Sequence, residues 1–112
     1  MSVPEAEETQ CFGEDCVVFK VRGKMFAMLM FIPKYCRFVF LKCDPDYARV
    51  LRDSRLDVVE PAWHMNKRYW NMTDFEHPSV DAAFARHIIA HSYNEVLGKM
   101  PRSLREGLAP LS

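Results

Sequence analysis

The sequence predicts an α+β fold in one domain over residues 1–112, an antiparallel sheet with helices packed on one side in the order α-β-β-β-α-β-β-α. Three observations carry this prediction. Alternating apolar runs flank a glycine turn, an Asp-Pro pair opens a helical stripe after a third strand, and one long helical pattern lies near the C-terminus. A chain of 112 residues, 49% hydrophobic and 27% charged, suffices for one core and reads as an ordinary globular domain.

Taken in order, residues 2–10 are acidic, and Ser2 and Pro4 are start signals for a short opening helix. Cys16 to Val21 alternates, with Val17, Phe19 and Val21 on one face and Val18 and Lys20 on the other. Arg22-Gly23-Lys24 is a tight-turn signal, and Met25 to Phe31 is the return strand of a hairpin. Pro33-Lys34 breaks it, and Cys36 to Lys42 is a third strand rich in β-formers. Asp44 then caps a helix whose first turn accepts Pro45. Tyr47, Val50 and Leu51 form its apolar stripe, and Arg49, Arg52 and Arg55 are expected to face outward. Leu56 to Val59 is a short strand, and Arg68 to Thr73 a further one with Trp70 and Met72 on one face. Ser79 to Gly98 is the longest helix, with Val80, Phe84, Ile88, Ile89, Val96 and Leu97 as its buried stripe. Pro101 to Leu108 is a short terminal helix.

Composition narrows the function. The acidic N-terminus has no apolar h-region, and the longest apolar run, Met25 to Ile32, is too short for a bilayer. A cytoplasmic protein without a membrane partner is expected. Cys11, Cys16, Cys36 and Cys43 lack C-x-x-C spacing and are expected to be reduced. The formal net charge of zero argues against strong nonspecific polyanion binding. The distribution is uneven, however. Residues 1–16 carry five acids and no Lys or Arg, whereas residues 17–43 carry Lys20, Arg22, Lys24, Lys34, Arg37 and Lys42 and no acid.

The segment Pro61 to Asn71 holds Trp63, His64, Asn66, Lys67, Arg68, Tyr69 and Trp70, again without an acid. Aromatic faces beside cations stack on bases or clasp anions, and the same residues also suit a packed sheet with polar tips in water. Catalysis finds less support. His87 and His91 are four apart on a helix, but no H-E-x-x-H pattern or third ligand accompanies them. His64 and Cys43 share no nucleophile motif, and the four scattered glycines form no phosphate loop. No enzyme, metal or cofactor is expected.

Several pieces then carry a resemblance: Phe19-Lys20-Val21 with Gly23-Lys24-Met25-Phe26-Ala27, Leu41-Lys42-Cys43-Asp44-Pro45, His64-Met65-Asn66-Lys67-Arg68 with Trp70-Asn71, His91-Ser92-Tyr93, and Pro101 with Arg105. In this order they resemble the MmcQ/YjbR family, small bacterial proteins of uncharacterised role. The resemblance implies the same α+β order and a double-wing or frataxin-like sheet, for which DNA binding has been suggested by fold likeness. The chain departs from the family pattern at Ala62 and Trp63, where Gly and Tyr are common. The resulting expectation is a DNA-binding module contacting its guest through Lys20, Arg22, Lys24, Lys42, Trp63, His64, Asn66, Lys67, Arg68, Tyr69 and Trp70. The alternative is a protein or small-ligand interaction module on the same surface.

Overall fold

The computed structural model describes residues 6–10, 15–63, 65–108 and 110. Six strands form one antiparallel sheet: β1 (Ala6–Gln10), β2 (Cys16–Val21), β3 (Lys24–Met30), β4 (Phe38–Lys42), β5 (Val59–Pro61) and β6 (Trp70–Asp74), in the spatial order β1-β2-β3-β4-β6-β5. Three helices accompany it: α1 (Pro45–Ser54), α2 (Ala82–Lys99) and α3 (Arg102–Arg105). The α+β class and antiparallel sheet are as the sequence predicts.

Residues 6–10 differ from expectation. They form an exposed edge strand paired with β2, where the acidic composition suggested a helix. Hydrogen bonding to the β2 edge overrides weak local propensity there. The first part of the expected helix, residues 2–5, lies outside the described residues.

The hairpin between β2 and β3 turns on Arg22 and Gly23, with φ of 47° and 81°. Positive φ at both central residues matches the right-handed twist of the flanking strands. A register shift at Phe19 and Lys20 puts Phe26 and Ala27 on the same side of the sheet.

The sheet is buried on both faces. On one, Phe26, Val39 and Leu41 pack under Leu51 of α1 and Ile88, Tyr93, Val96 and Leu97 of α2. Ser92 Oγ donates to the Phe26 carbonyl, and Tyr93 meets the Phe26 ring edge-on at 5.7 Å. A small residue followed by an aromatic one thus seats α2 directly on β3. On the other face, Val18, Met28, Phe38, Phe40, Trp70 and Met72 form a second core. No helix covers it. The segments leading into β4 and β6 do, through Tyr35, Ala62, Trp63 and Met65.

Cys16 is disulfide-bonded, whereas Cys36 and Cys43 are free thiols. The expectation of reduced cysteines fails at Cys16, because it rested on a compartment that sequence does not fix. Among the described residues no helix is long and apolar enough to cross a membrane.

Candidate functional site

The site begins at the cap of α1. Asp44 Oδ2 accepts from the amides of Asp46 and Tyr47, each at 3.1 Å, and Pro45 occupies the first turn. From this start Pro45, Arg49 and Arg52 recur at helical spacing along one flank. That flank faces the loop joining β5 to β6. Within the loop the Ala62 amide donates to Trp70 O at 3.2 Å, and the Tyr69 amide donates to Asn66 O at 3.0 Å. Asn66 Oδ1 also accepts from the Arg68 amide at 3.1 Å, a side-chain turn that fixes the loop tip. The Cys43 amide donates to Tyr69 O at 2.7 Å and fastens the loop beside the end of β4. Between helix and loop lies a cleft of about 420 Å³ lined by Pro45, Asp46, Arg49, Arg52, Lys67 and Arg68.

Charge in this cleft is one-sided: four cations face one carboxylate. Arg52 Nε donates to Asn71 Oδ1 at 2.6 Å, and its Nη2 donates to Lys67 O and, at 3.4 Å, to Trp70 O. All three acceptors are neutral, so the guanidinium is held in place without being neutralised. Among the described residues no carboxylate lies within ion-pair distance of Arg52, Lys67 or Arg68. Arg49 pairs with Asp46 at 2.7 Å, but both side chains are well exposed and screened by water.

The positive region continues past the cleft. The guanidinium of Arg68 lies 5.6 Å from the Tyr69 ring centre, and Lys99 Nζ lies 4.8 Å from the same ring. Lys42 has its pKa lowered, first by burial and next by the positive charge of Lys99, with Lys24 adding to this and Glu95 opposing it. Lys24 opens β3, Lys42 closes β4, and Lys99 ends α2, so these cations meet at one end of the sheet. Glu95, 3.2 Å from Lys99, partly offsets them.

The structure therefore gathers Lys24, Lys42, Lys67, Arg68 and Tyr69 of the expected contact residues, with Asn66 as shaper of the turn. The others do not join them. Lys20 stands in register with Glu7 of β1 and so sits beside a carboxylate-bearing strand. Arg22 Nη1 donates to the carbonyls of Leu104 and Glu106, at 2.8 and 2.5 Å, because the left-handed turn leads its side chain toward the C-terminal segment. Trp70 is only 6% exposed: period-two alternation puts it with Met72 in the second core, leaving no face for a base. Trp63 is partly buried and stacks on Tyr35, ring centres 4.6 Å apart, so the fold occupies one of its faces. His64 lies outside the described residues. Sequence reasoning misses Arg49 and Arg52 as site residues, since helical periodicity assigns them only to the outward face of α1. Their spacing with Pro45, directly after an Asp-Pro cap, was the available signal.

The groups weighed for catalysis have structural partners. The Cys43 thiol is pushed up to about 12 by burial and by the nearby carboxylates of Glu95 and Asp44, and so stays protonated. His91 Nε2 accepts from the Asp44 amide at 3.2 Å, whereas His87 Nε2 meets the Tyr47 hydroxyl at 3.0 Å. The two imidazoles are thus tied to different points on α1. Among the described residues no group of three His, Cys, Asp or Glu side chains could hold a metal ion.

The YjbR family model matches residues 1–95. The chain belongs to the YjbR family. The chain is similar to the uncharacterized protein YbdF of Escherichia coli O157:H7, 28% identical over 110 residues, covering 98% of this chain and 88% of YbdF. The crystal structure of the Deinococcus radiodurans protein DR2400 superposes with a TM-score of 0.83 at 25% identity, over 94% of this chain and 78% of that one. A Pseudomonas syringae protein shares the fold, with a TM-score of 0.69 at 23% identity over 83% of this chain and 88% of its own.

Proposed function

We propose that this YjbR protein is a non-enzymatic DNA-binding module that takes backbone phosphates at the basic end of its sheet rather than across a sheet face. The observation that carries this reading is the convergence of Arg52, Lys67 and Arg68 from a helix and a loop, with no carboxylate in ion-pair distance of any of the three among the described residues. Arg49, Lys99, Lys42 and Lys24 extend the same positive end, and phosphates seek such a cluster. Tyr69 offers an aromatic ring between two cations, a suitable platform for an unpaired base. The net charge of zero agrees with a local footprint rather than a wholly basic domain. In this reading the protein works in the cytoplasm without cofactor or metal; the disulfide at Cys16 is the feature that fits that compartment least well.

Titration with labelled duplex and single-stranded DNA across salt concentrations tests it. Neutralising about four phosphates gives a slope of log K against log salt of about −3 to −4 on duplex. The double change Lys67→Ala and Arg68→Ala should weaken binding to all sequences and flatten that slope by about 2. No binding at low salt, where phosphate contacts are strongest, would overturn the reading. An unchanged slope in the double variant would place the contact elsewhere.

A further inference from the structure

We propose that the cleft between α1 and the β5–β6 loop is a pocket for one phosphomonoester dianion, as carried by a nucleoside monophosphate or a 5′-phosphorylated nucleic-acid end. The proposal rests on the cleft being the anion site of the DNA-binding reading and adds which phosphate it prefers. Three observations carry it.

The first is shape. Arg49 and Arg52 come from one wall and Lys67 and Arg68 from the other, around a single volume of about 420 Å³. Because the four bound one space, several of them can reach a single terminal phosphate at once. The second is preorganisation. Arg52 is locked by Asn71 Oδ1 and the carbonyls of Lys67 and Trp70, so its charge is in place before a guest arrives. The loop wall is fixed in turn by Asn66 and by the bond from the Cys43 amide to Tyr69 O.

The third is charge count. The cleft sets four cations against Asp46 alone. A phosphodiester brings one negative charge, and a phosphomonoester brings nearly two at neutral pH. The second charge is what an excess of guanidinium and ammonium groups rewards. The first-turn amides of Asp46 and Tyr47 are already bonded to Asp44, so side chains, not the helix end, supply the attraction. The Tyr69 ring lies 5.6 Å from the Arg68 guanidinium that lines the cleft, close enough to be tested as a contact for the base or sugar beyond the phosphate.

The test compares a labelled single-stranded oligonucleotide bearing a 5′-phosphate with the same strand bearing a 5′-hydroxyl. Adenosine 5′-monophosphate, adenosine and inorganic phosphate serve as competitors. The phosphorylated strand should bind about tenfold more tightly, about the worth of one added unit charge in such a site. The preference should fade between pH 7.5 and pH 5.5, as the dianion takes up one proton and becomes a monoanion. Adenosine 5′-monophosphate should compete, and adenosine should not. Arg49→Ala, on an exposed helix flank, should erase the preference while leaving residual strand binding, and Arg49→Lys should restore part of it.

Equal binding of the two strands, with no competition by the monophosphate, overturns the pocket and leaves the DNA reading standing. Competition by adenosine 5′-monophosphate where neither strand binds upholds the pocket and overturns the DNA reading. Absence of binding by every probe overturns both. Competition by inorganic phosphate as strong as that of the monophosphate upholds the phosphate pocket and assigns no role to Tyr69.

Discussion

The two ends of the sheet are built from similar residues and handle charge in opposite ways. At the end where β3 gives way to β4, Arg37 pairs with Asp74 at 3.0 Å and also covers the Phe38 ring, and Lys34 lies over Tyr35. Those cations finish the fold. At the other end Arg52, Lys67 and Arg68 meet neutral acceptors or water, and Lys42 is pressed by Lys99 and Lys24. Mutual repulsion of this kind works against folding, so the cluster is better explained by a guest than by stability. Cation number alone identifies nothing; the excess of cations over carboxylates, four against Asp46 in the cleft, separates the two ends.

The largest effect should come from reversing charge at each end in turn. Lys67→Glu with Arg68→Glu should abolish DNA binding in a low-salt titration, a loss of at least about a hundredfold given several phosphate contacts. Lys34→Glu with Arg37→Glu should change it by less than about threefold, since those residues lie a sheet-length away. Equal losses would erase the distinction between the ends.

A smaller effect sharpens the same contrast through stability. Arg52→Ala strips Asn71, which is 3% exposed, of a charge-assisted bond and should cost about 1–3 kcal/mol in chemical denaturation. Arg37→Ala removes a pair whose guanidinium is half exposed, and about 0–1 kcal/mol is expected. If the order were reversed, Arg52 would not be the fixed wall of the cleft.

The smallest effect concerns pH. His91 has its pKa lowered, chiefly by burial, with His87 acting in the same direction and Glu95 and Asp44 opposing. The neutral imidazole is also the form that accepts from the Asp44 amide. A lowered folded value means the unfolded chain takes the proton first. Stability from this group is therefore complete above the ordinary value of 6.5 and declines as pH falls from there toward the folded value. His91→Gln should flatten that decline in melts between pH 8 and pH 5, and an unaltered pH profile would exclude His91 as its source.

Much of the fold was legible because local signals agreed with the global one. Cys16 to Val21 alternates cleanly and is a strand with those bounds; Asp44-Pro45 opens α1 as its cap chemistry requires. The edge strand β1 was not legible, since Ala-Glu-Glu-Thr-Gln has no apolar period and four of its five residues are exposed. For the site, the residue types in the β5–β6 loop were informative, but their roles divided along strand periodicity. Trp70 shares a face with Met72 in the sequence itself, and that pairing was the sign of its burial. The partnership of α1 with the loop was invisible, because β6 lies between β4 and β5, an order that the sequence does not spell out.

Strand β4 is apolar on both sides, with Phe38 and Phe40 facing one core and Val39 and Leu41 the other. Before Lys42 at its end β4 carries no polar side chain, so along most of its length polarity does not index its alignment. The neighbouring β6 does. Asn71 is fully enclosed, with its amide nitrogen donating to Ala48 O and its oxygen accepting from Arg52. Any shift of β6 would strand that amide among hydrocarbon. One carboxamide thus works as a notch that lets two greasy ribbons lock in a single alignment, and the same notch aims the guanidinium at the surface.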